Sequence, residues 1–350
     1  MIFRQLFDPV SCTYTYLLAG HAGGEALIID PVIEGVERYA ELLGELDLRL
    51  VKALDTHLHA DHVSGLGALR DRFNCITVMG AESTVDTVSM RVRDGDAVEI
   101  EGLELGAMHT PGHTDDSYCF GLPDRVFTGD TLLIGGSGRT DFEGGDAAEQ
   151  YRSIFGKLLL LADETLVFPG HDYNGRTVST IAEERRLNPR LQVRTLEDYV
   201  AIMDALDLPD PKLMDTAVPA NRSIGVGQSA GDRGLGVDDA LMLRSSPGVV
   251  FVDLREDRER ARDGVIPDSL HVPYGGLEPR LGPGGDLAEL LAPEGRRVVF
   301  YCSYGERSAL AVKMARECGH GAAYHIMGGM EAWKGAQAPV IGAAGKAEGP

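Results

Sequence analysis

Short apolar segments that end in polar loops recur through the first half of the chain. Five of them have the length and apolar content of buried β-strands: residues 25–32, 50–57, 103–113, 125–130 and 165–171. Four of the five close on a side chain that can bind a metal ion, namely His57, His113, Asp130 and His171. Because buried strands often converge on one edge of a fold and carry its site in the loops there, we expect these side chains to meet.

The pattern restarts after a stretch rich in Pro, Gly and Ser at 219–236, which predicts a linker. Beyond it, 248–256 and 296–302 are strand-like, and 308–319 has helical apolar spacing that ends at a glycine. With 350 residues the chain exceeds the size at which one core usually keeps growing. We therefore predict two domains, residues 1–228 and 236–345, joined by a linker at 229–235.

Charge and composition exclude several classes of function. The formal net charge of -21 disfavours nucleic acid, whose binding depends on cationic neutralisation of phosphates. No apolar segment approaches the ~20 residues of a membrane span, and the N-terminus lacks the pattern of a signal peptide. The five cysteines are widely spaced without a CxxC pair, so neither a disulfide framework nor a zinc ribbon is expected. These features predict a soluble, cytoplasmic protein that binds neither nucleic acid nor membrane.

The segment THLHADH (56–62) carries the densest group of metal-binding side chains. His57 and His59 are two apart on an extended segment, so they point the same way and could chelate one ion. Asp61 and His62 are predicted on the turn that begins a helix. Three more candidates each follow a tight turn that aims them inward: His113, Asp130 and His171. Together these seven side chains predict a metal centre.

The segments THLHADH, TPGHT, FTGD and PGHD, in this order, resemble the signature of the metallo-β-lactamase superfamily. The resemblance covers most of residues 1–228 and implies an αβ/βα sandwich with a metal site at one edge, holding either two zinc ions bridged by Asp130 or one iron. Within it, GGSGRTDF, HDYNGRTVST, EERRLNPRL and DTAVPAN are similar to the persulfide dioxygenases. One departure is DDSYC (115–119), which stands where a glycine is expected.

The similarity to persulfide dioxygenases implies one Fe(II) per chain, held by His57, His113 and Asp130. Two histidines and a carboxylate form the facial triad of non-haem iron oxygenases. The resemblance makes four other side chains the groups that orient ligands and move protons: His59, Asp61, His62 and His171. Arg139 is expected to anchor a glutathione carboxylate, with a structural salt bridge in its loop as the alternative. Tyr173 is expected to line the substrate pocket.

A second site is predicted at CSYGERS (302–308), between a strand and a helix. A cysteine at such a junction lies in the field of backbone N–H groups and the helix N-terminus, which favours the thiolate, and Arg307 adds to this effect. We therefore predict that Cys302 is a nucleophile.

Residues 302–307, with VDLRE, GVIPDSLHVP and MGGMEAW, resemble the rhodanese sulfurtransferases over about 236–340. The resemblance implies an α/β rhodanese domain in which the loop around Cys302 binds the substrate, through Ser303, Tyr304, Gly305, Glu306 and Ser308. In three places the chain departs from the family, with Ser303 where many members have a basic residue, an acidic Glu306, and Val265 in place of a histidine. The first two predict poor affinity for thiosulfate.

Both halves of the chain thus point to sulfane-sulfur chemistry. We expect a persulfide dioxygenase–rhodanese fusion that oxidises glutathione persulfide with O2 to sulfite and glutathione. Cys302 would carry sulfur between thiosulfate or sulfite and glutathione. Three alternatives stay open: a dinuclear-zinc thiolesterase of the glyoxalase II kind that uses the same seven residues, a sulfane-sulfur sensor with Cys302 as its reporter thiol, and a rhodanese module used only for interaction. A homodimer is an open alternative to a monomer.

Overall fold

The structure, a computed structural model, describes residues 1–86, 88–142, 144–209, 211, 213–224 and 233–343. The chain divides into two compact units, one made of Met1–Asp86 and Arg91–Ile224 and a second that includes residues 233–343. Residues 229–232 of the predicted linker lie outside the described residues, whereas its last two residues, Gly234–Leu235, form a strand of the second unit.

Two six-stranded sheets form the first unit. The strands of the first sheet, which are neighbours in chain order, are β1 Ile2–Asp8, β2 Thr13–Ala19, β3 Glu25–Ile29, β4 Arg49–Leu54, β5 Ile76–Gly80 and β6 Met90–Val92. The strands of the second sheet are β7 Ala97–Ile100, β8 Leu103–His109, β9 Tyr118–Leu122, β10 Arg125–Gly129, β11 Leu166–Pro169 and β12 Ser179–Thr180. Its order is β12-β11-β10-β9-β8-β7. All five strands predicted in this half are present, as β3, β4, β8, β10 and β11.

The two sheets pack face to face through aromatic side chains. The ring of Phe3 in β1 lies 4.9 Å from that of Phe168 in β11, and Tyr16 in β2 lies 4.9 Å from Phe127 in β10. Burial of rings of this size dominates the stability of a core. The sandwich predicted from the sequence is therefore built around an aromatic centre.

Six α-helices flank these sheets: α1 Val36–Glu45, α2 Leu66–Phe73, α3 Ala147–Gly156, α4 Ile181–Leu187, α5 Leu196–Asp204 and α6 Met214–Asn221. Three of them begin at side-chain caps, because Asp146, Thr180 and Thr195 each accept a hydrogen bond from a backbone N–H in the first turn. Each such cap contributes about 1 kcal/mol. These caps fix where α3, α4 and α5 start relative to the second sheet.

The second unit is a parallel sheet with helices. Its strands are β13 Gly234–Leu235, β14 Val249–Asp253, β15 Leu270–His271, β16 Arg297–Tyr301 and β17 Ala323–Ile326, in the order β13-β17-β16-β14-β15. Its helices are α7 Val237–Arg244, α8 Asp257–Asp263, α9 Leu277–Leu281, α10 Asp286–Leu291, α11 Glu306–Glu317 and α12 Gly329–Gly335. Trp333 of α12 is fully buried against Phe251, Val299 and Ile326 of the sheet. The predicted α/β class is confirmed in both units.

Across the described residues, no helix combines the length and the apolar character that crossing a membrane requires.

Candidate metal centre and sulfur-transfer loop

The predicted metal-binding side chains of the first unit come directly after the ends of strands. His57 follows β4, His113 follows β8, Asp130 follows β10 and His171 follows β11, each within four residues of the strand end. All four side chains are buried. The strand ends therefore bring together the residues that the sequence pattern selected.

Two glycines make these turns sterically feasible. Gly112 has φ 140 and Gly129 has φ 48, conformations that other residues rarely adopt. A Cβ on Gly112 would lie 2.3 Å from the Cα of Gln150, and one on Gly129 would lie 2.6 Å from Oγ1 of Thr56. The glycines in TPGH and TGD are thus needed to place His113 and Asp130.

His57, His113 and Asp130 form a compact cluster in which one ligand atom from each lies within 4.8 Å of the others. Nδ1 of His113 is 2.7 Å from the carbonyl oxygen of Arg139, so it carries the proton and donates it there. The other nitrogen, Nε2, faces Oδ2 of Asp130 at 3.6 Å. The hydrogen bond to the Arg139 carbonyl thus fixes the orientation of the His113 ring, with Nε2 directed at the cluster.

The protonation of this cluster suits a divalent ion. Burial lowers the pKa of His57 well below its usual value, so the imidazole is neutral. Burial alone would raise the pKa of Asp130, but the neighbouring His171 holds it below its usual range, so the carboxylate is charged. Imidazole and carboxylate groups are donors that suit Fe(II) and other first-row metals.

His59, Asp61 and His62 form a separate cluster of potential ligands. Although the rings of His57 and His59 are 4.2 Å apart, Nε2 of His59 turns to Oδ1 of Asp30 at 3.2 Å. Burial would lower the pKa of His59, but the Asp30 carboxylate raises it to about 9. The two histidines that spacing alone would direct to one ion therefore belong to different clusters.

The loop that carries these residues is longer than predicted. The helix expected directly after Asp61 and His62 begins only at Leu66. Asn221 of α6 holds the loop, since its Nδ2 donates to the carbonyls of His59 and His62 at 2.9 and 2.8 Å. A distant side chain, and not a helix start, thus fixes this segment.

His171 bridges two carboxylates. Nδ1 lies 2.7 Å from Oδ1 of Asp130, and Nε2 lies 2.8 Å from Oδ2 of Asp61. Burial would lower the pKa of His171, but the two carboxylates raise it well above its usual value. Oγ1 of Thr13 adds a contact of 3.1 Å to both Asp61 and His171. His171 is therefore a proton-bearing link, with both ring nitrogens engaged.

A pocket of about 290 Å³ opens beside the metal cluster. Its lining includes His113 and Asp130 of the metal cluster and the neighbouring Asp61 and His171, together with the predicted substrate residues Arg139 and Tyr173. Tyr173 is 69% exposed at the rim, and its ring stacks on that of His171 with 6.1 Å between centroids.

Arg139 has protein partners in the structure. Its Nε and Nη2 donate to the carboxylate of Asp141 at 2.6 and 2.7 Å, and Nη1 donates to the carbonyl of Pro209 at 2.7 Å. The guanidinium also lies over the ring of Phe142. The loop salt bridge considered as the alternative for Arg139 is thus present, in a residue that also lines the pocket.

Several residues of the site were missed by the sequence argument: Asp30, Thr13, Asn221 and Arg190. Asn221 and Arg190 lie in the motif segments DTAVPAN and EERRLNPRL, but no role was assigned to them there. Asp30 had a local signal, since it follows the apolar run of β3, and it has φ 48, a left-handed conformation that Asp tolerates. It accepts hydrogen bonds from the backbone N–H and the hydroxyl of Thr56. Asp30 thereby positions the start of the His57 segment.

In the second unit, Cys302 lies where the sequence predicted it, directly after β16 and ahead of α11. It is buried, and its Sγ accepts a hydrogen bond from the backbone N–H of Gly305 at 3.1 Å. Sγ in turn donates to Oγ of Ser308 at 3.7 Å, while the Ser308 hydroxyl donates to the carbonyl of Gly305. Gly305, with φ 100, allows the loop to curl around the sulfur. The loop thus directs a backbone N–H at the predicted nucleophile.

The other loop residues differ in their surroundings. Ser303 and Glu306 are buried, whereas Tyr304 is half-buried. Arg307 is fully buried and donates to both carboxylate oxygens of Glu259, at 2.8 and 2.6 Å, and the hydroxyl of Ser303 donates to the same carboxylate. Glu259 therefore compensates the charge of Arg307, and the direct donor to Sγ of Cys302 is the backbone.

Two consecutive glycines support this loop from the start of α12. Gly328 and Gly329 both have positive φ, and a Cβ on Gly329 would lie 2.3 Å from the carbonyl oxygen of Cys302. That carbonyl accepts a hydrogen bond from the N–H of Met330 at 2.7 Å. The segment MGGMEAW thus forms one wall of the cysteine loop.

The Glu259–Arg307 pair predicts a large stability effect. Glu259→Ala should lower the free energy of unfolding of the second unit by about 3–5 kcal/mol, because it leaves a buried guanidinium without its counter-charge. Chemical denaturation followed by circular dichroism would measure this, with the exposed Glu317→Ala as the matched control. A loss as small as in the control would contradict the prediction.

The pH dependence of the same pair has a definite sign. Burial would raise the pKa of Glu259, but Arg307 lowers it from 4.5 to about 2. Since the folded-state pKa is depressed, the stabilisation is complete above the unfolded value and is lost as the pH falls from 4.5 towards about 2. Glu259→Ala should abolish this component of acid unfolding.

Comparisons with known proteins agree with this architecture. A family model described as the metallo-beta-lactamase superfamily matches residues 9–171, and one described as a rhodanese-like domain matches residues 237–336. The persulfide dioxygenases ETHE1, mitochondrial, of Bos taurus and Homo sapiens are each 45% identical over 233 residues, 65% of this chain and 89% of theirs.

Solved structures give the same result. ETHE1 from Myxococcus xanthus is 52% identical, with a TM-score of 0.62 over 63% of this chain and 98% of that one. A metallo-beta-lactamase from Staphylococcus aureus, 20% identical, matches 94% of this chain and 98% of its own with a TM-score of 0.59, which shows the fold alone.

Fold and site together define a protein with a metallo-β-lactamase domain, which carries clustered metal-binding side chains, and a C-terminal rhodanese-like domain. Within that class, the chain belongs to the family of the ETHE1 persulfide dioxygenases. The predicted family and fold class, a metallo-β-lactamase fold followed by a rhodanese domain, are confirmed, and the predicted domain bounds stay a prediction.

Proposed function

We propose that this protein oxidises glutathione persulfide with O2 at a single ferrous ion and transfers sulfur through Cys302 of its rhodanese domain. The observation that carries the first part is the cluster of His57, His113 and Asp130 beside a pocket, in a chain 45% identical to persulfide dioxygenases. The reaction balances as RSSH + O2 + H2O giving RSH + SO3²⁻ + 2 H⁺. The sulfane sulfur loses four electrons, which reduce O2.

The donor set fits iron. When bound, a ferrous ion with three protein ligands supplies open positions for a sulfur anion and for O2. Among the three residues, His57 has a neutral imidazole and Asp130 a charged carboxylate, the protonation states that a divalent ion requires. His57, His113 and Asp130 would hold the ion.

The residues around the cluster orient its histidine rings and hold a proton near the pocket. The hydrogen bond to the Arg139 carbonyl fixes the ring of His113, and Asp30 orients His59. His171 carries a proton between Asp130 and Asp61, at the edge of the pocket, where a leaving thiolate would need one. The pocket of about 290 Å³ is of the size expected for a small peptide thiol.

The position of His171 favours one ion over two. A dinuclear thiolesterase centre would need lone pairs from Asp61, His62 and His171 for its second ion. Both nitrogens of His171 instead contact carboxylates, and in the described part of the chain His171 belongs to none of the potential ligand clusters. This arrangement supports the dioxygenase over the glyoxalase II alternative.

The rhodanese domain is proposed to transfer sulfur in two displacements. The Cys302 thiolate attacks the outer sulfur of a donor and forms a new S–S bond, and the donor's own S–S bond breaks with its electron pair leaving on glutathione thiolate or sulfite. An acceptor, glutathione thiolate or sulfite, then attacks the outer sulfur of the Cys302 persulfide. The persulfide S–S bond breaks, and its electron pair returns to Cys302. The backbone N–H of Gly305, 3.1 Å from Sγ of Cys302, is placed to stabilise negative charge on the sulfur during these displacements.

We propose Arg139 as an anchor for a carboxylate of glutathione. Arg139→Ala should raise KM for glutathione persulfide and leave kcat nearly unchanged, because a contact remote from the iron contributes equally to ground and transition states. Substrate must replace Asp141 at the guanidinium, so we expect about 10-fold, the lower end of the range for one charge-assisted pair. Steady-state kinetics would measure it. A fall in kcat without a change in KM would refute the anchor role.

We also propose that the protein works in a reducing compartment, the cytoplasm. All five cysteines are free in the structure, as expected where thiols stay reduced.

One experiment tests the main proposal. Metal analysis of the purified protein should give about one iron per chain, and oxygen uptake on glutathione persulfide should yield stoichiometric sulfite. Two zinc ions per chain with hydrolysis of S-acyl glutathione would establish the thiolesterase instead. Sulfane-sulfur binding at Cys302 without oxygen turnover would establish the sensor.

A further inference from the structure

We infer that Asn174 is a site of spontaneous deamidation, a covalent modification that turns its neutral amide into a carboxylate. Asn174 is followed by Gly175 in the loop after β11, and it lines the pocket beside the metal cluster. The modification needs water and no enzyme. The inference goes beyond the proposed function, because the reaction at Asn174 is independent of iron and of sulfur chemistry.

The reaction is a cyclisation followed by a hydrolysis. The backbone nitrogen of Gly175 attacks Cγ of Asn174 and forms a new C–N bond that closes a succinimide ring. The side-chain nitrogen of Asn174 leaves as ammonia, with the proton of the Gly175 N–H. Water then breaks one of the two C–N bonds of the ring, which gives aspartate or isoaspartate. One water is consumed and one ammonia is released, and nothing is oxidised or reduced.

The local structure leaves the attacking nitrogen available. The N–H groups on either side of it are held, because those of Asn174 and Arg176 donate to Oδ2 of Asp172 at 2.9 and 2.7 Å. Between them, no described residue accepts a hydrogen bond from the N–H of Gly175. The nitrogen of Gly175 can therefore attack without first breaking a hydrogen bond to any part of the chain that the structure describes.

The space around the turn also permits the cyclisation. Asn174 and Gly175 are exposed, and a Cβ added at Gly175 would meet no heavy atom within 4 Å beyond its chain neighbours. Gly175 itself has no Cβ, so no side chain shields its nitrogen. The side-chain amide of Asn174 makes no hydrogen bond to another described residue, so it can rotate towards that nitrogen.

The three other asparagines of the chain lack this combination. Asn74 is exposed, but the residue after it is Cys75, whose Cβ crowds the attacking nitrogen. Asn188 precedes Pro189, which has no N–H to lose. Asn221 is buried, and its amide donates to two carbonyls of the loop that follows β4. These three residues therefore serve as internal controls.

Deamidation changes the charge of the pocket lining. Each converted chain gains one negative charge at residue 174, whose N–H contacts the carboxylate of Asp172. The isoaspartate form also lengthens the backbone by one atom, which shifts the N–H of Arg176 relative to Asp172. We expect the converted loop to bind an anionic thiol persulfide less tightly. This consequence, unlike the modification itself, rests on the proposed function.

Peptide mass spectrometry of the full-length protein, before and after prolonged incubation in warm neutral buffer, tests the modification. The peptide that contains residue 174 should gain one mass unit, and part of it should become a substrate for an isoaspartyl methyltransferase. The peptides that contain Asn74, Asn188 and Asn221 should keep their masses. Asn174→Gln is the matched variant, and its peptide should also keep its mass, because the longer side chain would have to close a less favourable ring.

The same incubation in guanidinium chloride shows whether the fold permits the reaction. Residue 174 should convert in the folded and in the unfolded protein. Conversion in the unfolded protein alone would show that the fold protects Asn174 and would overturn the inference. Equal conversion at Asn74 in the folded protein would also overturn it, because the turn at Gly175 would then confer nothing.

Oxygen uptake by fresh and incubated protein tests the consequence for binding. Incubation should raise KM of the converted wild type for glutathione persulfide by about 1.4- to 5-fold, as expected for one added charge at an exposed position. Incubation should leave KM of Asn174→Gln where it was before. A converted wild type with an unchanged KM would overturn the effect on binding. Fresh protein that takes up no oxygen, yet converts at residue 174, would refute the dioxygenase proposal alone.

Discussion

His113→Ala is expected to lose both its bound iron and its oxygen uptake on glutathione persulfide. His113 supplies one of three proposed ligand atoms, and its Nε2 is turned to the cluster by the hydrogen bond from Nδ1 to Arg139. Changing residues that merely orient a metal ligand already lowers metal affinity by ~10–100-fold, so removing a ligand should exceed that. Iron content by metal analysis and rates from an oxygen electrode would show the two losses together.

The control for this variant is His21→Ala. His21 is an exposed histidine whose ring contacts Glu101 at 3.3 Å, so its loss should leave iron content and oxygen uptake at wild-type levels. A His113→Ala protein that keeps one iron and normal oxygen uptake would remove His113 from the ligand set. A protein that keeps iron but loses activity would assign His113 to the substrate instead.

Cys302→Ser should eliminate sulfur transfer and leave oxidation of supplied glutathione persulfide nearly intact. A serine hydroxyl is too weakly acidic and nucleophilic to replace a thiolate in this loop. When thiosulfate and glutathione are supplied instead, sulfite production that depends on oxygen should vanish, because no persulfide reaches the iron. Mass spectrometry should detect a Cys302 persulfide in the wild type and none in the variant.

Cys318 offers a matched control for this experiment, since it is a free and exposed cysteine at the end of α11. Cys318→Ser should retain both reactions. If Cys302→Ser also loses oxygen uptake on preformed glutathione persulfide while its iron stays bound, Cys302 takes part in the oxidation and the model of two independent sites fails.

The residues of the metal centre could be predicted from the sequence because the signals for them are local. Each of His113, Asp130 and His171 follows a strand and a glycine turn within a few residues, and the turns themselves fix the directions of the side chains. The same is true of Cys302, which is placed by a strand end and a helix start. Short-range periodicity and turn chemistry were sufficient there.

The residues that support these sites could not be predicted from the sequence, because their contacts join distant parts of the chain. Thr13 meets His171 across 158 positions, Arg190 meets Ser137 across 53, and Glu259 meets Arg307 across 48. No periodic pattern encodes such a pairing. For this reason the sequence argument gave Arg307 a free charge that the structure shows to be compensated by Glu259.

The wall that Gly328 and Gly329 provide for the cysteine loop bears on how such loops can be exchanged between proteins. The backbone carbonyl of Cys302 fits only because residue 329 has no Cβ. The same carbonyl accepts a hydrogen bond from the N–H of Met330, 28 positions later in the chain. The transplantable unit is therefore two segments, the six-residue loop and the glycine pair. A designer who grafts CSYGER alone into another parallel sheet should recover the cysteine without the backbone shape that places the Gly305 N–H against its sulfur.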